Sequence, residues 1–127
     1  METNCRFCDF DLSKADLSTE HYFALADRAP VTKGHTLVIS KKHHEHIFTL
    51  SREEWVDLHT ALGETKEHLD TLYKPNGYNI GVNQGEVAGQ TVPHLHFHII
   101  PRYTGDTESP RGGVRNILKP LEELWPE

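Results

Sequence analysis

Val92-Pro93-His94-Leu95-His96-Phe97-His98-Ile99-Ile100-Pro101 sets three histidines on alternate positions, with apolar residues between and after them. In an extended strand successive side chains point to opposite faces. His94, His96 and His98 therefore share one face, and Leu95, Phe97 and Ile99 the other. The stretch predicts a strand that packs on one side and does chemistry on the other. A single metal ion does not explain all three rings. At a rise of roughly 3.3 Å per residue the backbones of His94 and His98 stand about 13 Å apart, whereas ligand nitrogens lie about 2.1 Å from zinc. At most two of them share one ion. Solvated polar positions on an ordinary two-faced strand would show mixed residue types rather than histidine three times running.

Upstream of this strand, Tyr78 to Asn83 alternates in the same way, with Tyr78, Ile80 and Val82 on one face and Asn79, Gly81 and Asn83 on the other. A glycine-rich loop, Gly85 to Gln90, joins the two. Before them, Ser51-Arg52-Glu53-Glu54 is a capping box, with Leu50 and Trp55 placed as a hydrophobic staple, so a helix is expected to begin at Arg52. Trp55, Leu58, Leu62, Leu69 and Leu72 recur at helical spacing as one apolar stripe to about Tyr73, and Lys74-Pro75-Asn76-Gly77 ends it. His21 to Asp27 and His35 to Ile39 read as two further strands, separated by a turn containing Pro30 and Gly34. Strands, one long helix, then strands argue for an α+β fold, an antiparallel sheet with the helix on its apolar face. The other face is left for function.

The 127 residues suit one compact domain, 1–127, with a core over 5–103 and a carboxy-terminal loop and docking segment over 104–127. With 13 basic and 19 acidic side chains the formal charge is −6, which disfavours a broad electrostatic grip on nucleic acid or an anionic membrane. An anionic substrate must be held locally. No apolar run approaches the roughly 20 residues of a membrane span, and Met1-Glu2-Thr3-Asn4 lacks the pattern of a secretory signal, so the cytoplasm is the expected location. The only cysteines are Cys5 and Cys8. A redox pair would sit where a strand enters a helix, a disulfide is out of place in a reducing compartment, and a zinc site needs two more ligands in a chain rich in histidine. His21, His44, His46, His59 and His68 read as exposed polar residues. No Walker-type loop or carboxylate cluster asks for a catalytic magnesium.

The His-apolar-His-apolar-His run followed by two apolar residues resembles the signature of the histidine-triad (HIT) superfamily of nucleotide hydrolases and transferases. Gly34-His35-Thr36-Leu37-Val38-Ile39-Ser40-Lys41-Lys42-His43, Asn79 to Asn83 and Gly89-Gln90-Thr91-Val92-Pro93 carry the same resemblance, which spans roughly residues 5–103. It implies a sheet continued across a two-fold homodimer. It also implies a structural zinc ion on Cys5, Cys8, His43 and His94, with His44 or His46 as possible substitutes for His43, and no catalytic metal.

By the same correspondence His96 is the nucleophile that attacks the α-phosphorus of a nucleotide substrate, oriented through its other nitrogen by a backbone carbonyl, and His98 donates to a phosphate or bridging oxygen. His35, Asn83, Gln90 and Thr91 line the α-phosphate, and Asp27 lies on the nucleoside side. The implied reaction is hydrolysis of dinucleoside polyphosphates or related nucleoside phosphates through a nucleotidyl-histidine. A phosphoramidase acting on adenylyl-lysine-type substrates, a nucleotide-binding signalling module with little turnover, and a metalloenzyme using the three histidines are the alternatives. Arg111 and Arg115 could close over a polyphosphate or lie in a solvated tail or a dimer contact. Ile117, Leu118, Leu121, Leu124 and Trp125 are expected to dock on the body or a partner.

Overall fold

The computed structural model describes residues 5–118. Five strands form one antiparallel sheet: β1 (Leu17–Ser18), β2 (Tyr22–Ala26), β3 (Thr36–Ser40), β4 (Gly77–Gly81) and β5 (His96–Arg102), in the order β1-β2-β3-β5-β4. Among the described residues a single α-helix, α1 (Arg52–Tyr73), connects β3 to β4. The fold is thus the expected α+β arrangement. The histidine strand lies between β3 and β4, with Ile39 opposite His96, and with Leu37 and Gly81 flanking His98.

Period-two alternation sorts the strands' side chains into two layers. Tyr22, Ala24, Val38, Leu95, Phe97 and Ile99 pack with Leu58, Ala61 and Leu69 of α1 as the main core. The opposite face is not wholly open, because Phe23, Leu37 and Ile39 are covered by an amino-terminal turn that brings Cys5 and Phe7 onto them. Strand β3 is consequently buried on both faces. The histidines stand beside this second, smaller core.

Helix α1 starts where the capping box predicts. The Ser51 hydroxyl accepts from the Glu54 backbone N–H, and the Glu54 carboxylate accepts from the Ser51 N–H at 2.8 Å. Its buried stripe differs from the apolar pattern: Glu54, Leu58, Ala61, Thr65 and Leu69 are inside, whereas Trp55 is 44 % exposed and Leu72 also faces solvent. Glu54 and Thr65 are tolerated inside because each is hydrogen bonded, Thr65 to the Ala61 carbonyl and Glu54 to Ser51 and His44. An apolar count does not register a polar side chain that is satisfied locally.

A second correction concerns His44, expected to be exposed. It is buried, with Nε2 2.9 Å from Glu54 Oε2 and Nδ1 2.7 Å from Thr49 Oγ1. Burial alone would raise the Glu54 pKa, but the Ser51 N–H and His44 together hold it below the usual carboxylate value. Tyr22 OH also donates to the Glu54 carbonyl, so the start of α1 is tied to β2.

Gly34 excludes a side chain twice over. Its φ is +93°, and an added Cβ would lie 2.8 Å from the Tyr73 ring. Of the apolar carboxy-terminal residues, Ile117 and Leu118 are 77 % and 92 % exposed in the single chain. Leu121, Leu124 and Trp125 lie outside the described residues. Among the described residues no helix is long and apolar enough to cross a membrane.

Candidate functional site

The approach to β5 brings His94 under the amino-terminal turn, where Cys5, Cys8, His43 and His94 place their ligand atoms within 4.8 Å of one another. Cys5 Sγ lies 3.1 Å from His94 Nδ1, Cys8 Sγ 3.1 Å from His43 Nδ1, and the two Nδ1 atoms 3.1 Å apart. A tetrahedral ion with bonds of about 2.1 to 2.3 Å needs ligand separations only slightly larger. The protonation pattern also fits. His94 Nε2 is 2.7 Å from the Ser40 carbonyl, which can only accept, so Nε2 carries the proton and Nδ1 presents its lone pair to the cysteines. The Cys8 backbone N–H donates to Cys5 Sγ. This group could hold a metal ion.

The geometry also separates the three candidate histidines of the loop. His43 is in the group, His44 turns to Glu54, and His46 Nδ1 is buried with no hydrogen-bond partner among the described residues.

Two residues along, His96 is 7 % exposed and its Nδ1 lies 2.8 Å from the carbonyl oxygen of His94. The carbonyl again fixes the tautomer: Nδ1–H donates, and Nε2 is left with a lone pair. Phe7, held between the two cysteines, sets its ring edge-on to both His94 and His96, with centroids at 5.6 and 5.3 Å. The same short turn therefore carries two candidate metal ligands and one wall of the histidine site.

A second cluster surrounds His98. Its Nδ1 lies 2.9 Å from His35 Nε2, and Asp27 Oδ2 is 3.3 Å from His35 Nε2 and 4.0 Å from His98 Nδ1. Asp27, His35 and His98 also fall close enough together for a metal, but their proton pattern argues against it. The Val31 backbone N–H donates to His35 Nδ1, so a neutral His35 carries its proton on Nε2 and has no lone pair there for an ion. That proton is instead donated toward His98 Nδ1, which leaves His98 with Nε2–H as its outward donor. A main-chain amide on the β2–β3 connection thus sets the tautomer of a ring on β5 through one intervening histidine.

Burial holds the His35 pKa below its ordinary value against the opposing pull of Asp27. Burial, followed by the nearby His96 and His35 rings, does the same for His98, again opposed by Asp27. The unfolded chain then binds more protons than the folded one as pH falls, so this contribution to stability is full above about pH 6.5 and is lost as pH drops through the lowered folded values. The urea midpoint is expected to be lower at pH 5.5 than at pH 7.5. The difference should narrow in His35→Gln, and an undiminished difference would remove His35 from the account.

The remaining sequence candidates border these rings. Asn83 and Thr91 are exposed and make no hydrogen bond among the described residues, so both have donors to offer a ligand. Gln90 is engaged: its Oε1 accepts from Gly85 N, and its Nε2 donates to the carbonyls of Glu45 and Val92. It ties the glycine-rich loop to the His43–His46 segment. Gly81, beside His98, leaves open space where a side chain would stand. The spacing of motifs did not reveal Phe7 or Val31, since both act through tertiary proximity.

Residues 13–105 match the HIT domain family. The chain belongs to the HIT family. A HIT-like protein of Methanocaldococcus jannaschii, uncharacterized, is 44 % identical over 116 residues, 91 % of this chain and 88 % of that protein. The bis(5'-nucleosyl)-tetraphosphatase (asymmetrical) of Schizosaccharomyces pombe is 36 % identical over 83 residues, 65 % of this chain and 46 % of that enzyme. A crystal structure of a zinc-bound histidine triad family protein from Mycobacterium smegmatis superposes with a TM-score of 0.71 at 31 % identity, covering 82 % of this chain and 78 % of the other. The HIT fold therefore supplies the frame in which the two histidine clusters sit, and some of its members are named as hydrolases.

Proposed function

We propose that this HIT protein hydrolyses dinucleoside polyphosphates or related nucleoside phosphates through a covalent nucleotidyl-His96. One observation carries the reading: His96 Nδ1–H is held by the His94 carbonyl, so a neutral Nε2 lone pair remains on a ring outside the metal-ligand group. An imidazole nitrogen with a free lone pair is a competent nucleophile toward phosphorus. The name of the yeast relative supports this substrate class.

In the first half-reaction His96 Nε2 forms a bond to the α-phosphorus, and the bond from phosphorus to the bridging oxygen breaks. The ring becomes cationic, and the His94 carbonyl stabilises it through Nδ1–H. The departing polyphosphate is a stable anion, so a hydrogen bond from His98 Nε2–H to the bridging oxygen suffices without full proton transfer. His35 positions that donor. Asn83 and Thr91 offer donors to the α-phosphate oxygens, Gln90 holds the loop that carries Thr91, and Asp27 faces the nucleoside side. In the second half-reaction water attacks phosphorus, the P–N bond breaks, and mononucleotide and free His96 result.

Cys5, Cys8, His43 and His94 hold zinc in this reading. A bound ion would supply no step of its own and would tie the amino-terminal turn to the residue whose carbonyl orients His96. Among the described residues the edge strand β4 pairs only with β5 and leaves Ile80 exposed, which supports a homodimer through this edge.

Acid quench after mixing with a diadenosine polyphosphate, followed by intact-mass measurement, is expected to show the chain plus one nucleotidyl group. Hydrolysis without such an adduct at any time would overturn the mechanism. Faster turnover of an adenosine phosphoramidate than of the diadenosine polyphosphate would move the assignment to phosphoramidate cleavage at the same His96.

A further inference from the structure

Beside the histidine face a cleft of about 260 Å³ is lined by Arg6, Phe7, Phe10, Leu25, Ala26 and Arg28. It adjoins the chemistry on two sides. Phe7 touches the His96 ring, and Asp27, between two lining residues, reaches His35 and His98. Its floor is aromatic, with Phe10 stacked on Phe23 at 5.3 Å and an interplanar angle of 7°. This is a surface for a flat ring, not for a phosphate.

The two arginines give the recess its character. The Arg6 guanidinium lies 4.8 Å from the Phe7 centroid, and neither Arg6 nor Arg28 has a hydrogen-bonding or carboxylate partner among the described residues. In a chain of net charge −6, two uncommitted guanidinium groups at one apolar recess provide only donors. An aromatic ring seated there is favoured when its edge offers acceptors.

We propose that this cleft selects a guanine-type base, one carrying the O6 and N7 acceptors, over adenine. The inference rests on the nucleotide-site reading above and names the base within it. An arginine fork matches the O6 and N7 pair of guanine, whereas adenine presents an N6 amino donor beside N7, so one donor of the fork meets another donor. A matched pair of this kind discriminates by about tenfold or more, tenfold being about 1.4 kcal/mol. Stacking of a guanidinium on a base face, by contrast, favours every base alike.

Calorimetric titration of the His96→Ala protein with GMP, IMP, 7-deaza-GMP and AMP tests the binding. Turnover of diguanosine and diadenosine tetraphosphates by the unaltered protein tests it a second way. GMP and IMP are expected to bind about tenfold more tightly than AMP, and 7-deaza-GMP, which lacks the N7 acceptor, should lose most of that advantage. Whichever of Arg28→Ala and Arg6→Ala removes the fork should weaken GMP about tenfold and AMP less than threefold. Equal affinities, tighter AMP, or arginine variants that weaken both nucleotides equally would overturn the proposal. Equal cleavage of the two tetraphosphates would defeat base selection and leave the hydrolase reading standing. Selective GMP binding with neither tetraphosphate cleaved would do the reverse.

Discussion

His96→Ala is expected to lower hydrolysis of a dinucleoside polyphosphate about ten-thousandfold and to abolish the nucleotidyl adduct, while nucleotide binding persists. The size of the effect follows from the role. Without the imidazole no covalent intermediate forms, and what remains is the modest catalysis of a site that binds and polarises its substrate. The substitution removes the Nδ1–H bond to the His94 carbonyl and the ring contact with Phe7, both local to the site. A conservative control is His96→Gln, which keeps a polar side chain and lacks the nucleophilic nitrogen. Steady-state turnover within tenfold of the unaltered protein in either variant, with the fold intact by circular dichroism, would exclude His96 as the nucleophile.

The second large effect concerns the cysteine turn. Metal analysis is expected to find about one zinc per chain, and Cys8→Ser or exhaustive chelation should remove it. Stability should then fall by about 3 kcal/mol or more, which is roughly 10 °C or more in Tm for a chain of this size. The cause is geometric. The amino-terminal turn is joined to the body through Cys5 and Phe7 in the smaller core and through the cluster with His43 and His94. Loss of the ion leaves four ligand atoms within 4.8 Å of one another without their common partner. Activity should decline as well, because Phe7 and the His94 carbonyl both contact the His96 ring. His46→Ala, whose ring lies outside the group, should retain full metal content. Unchanged zinc in Cys8→Ser, or metal loss in His46→Ala, would refute the ligand set.

Local rules made much of this protein legible. The alternation running from Leu95 into β5 assigns Leu95, Phe97 and Ile99 to the core side, where they pack. The capping box placed the start of α1, since Ser51 and Glu54 satisfy each other's backbone N–H groups within one turn. The failures have a common origin. The helical period counts Trp55 into the buried stripe and passes over Glu54, because a buried carboxylate becomes tolerable only when His44, from another segment, arrives to meet it. The burial of His44 escapes the sequence for the same reason.

Sequence by itself determined which side chains share a face and where the helix begins, because pleat, helical period and caps are set by neighbours a few residues apart. Tertiary structure alone decided which of three clustered histidines joins the cysteines, that Val31 N–H fixes the proton on His35 and through it on His98, and that Arg6 and Arg28 line one aromatic cleft. Those outcomes depend on the register of β3 against β5 and on the path of the amino-terminal turn over the sheet. Both are settled by packing between segments far apart in the chain.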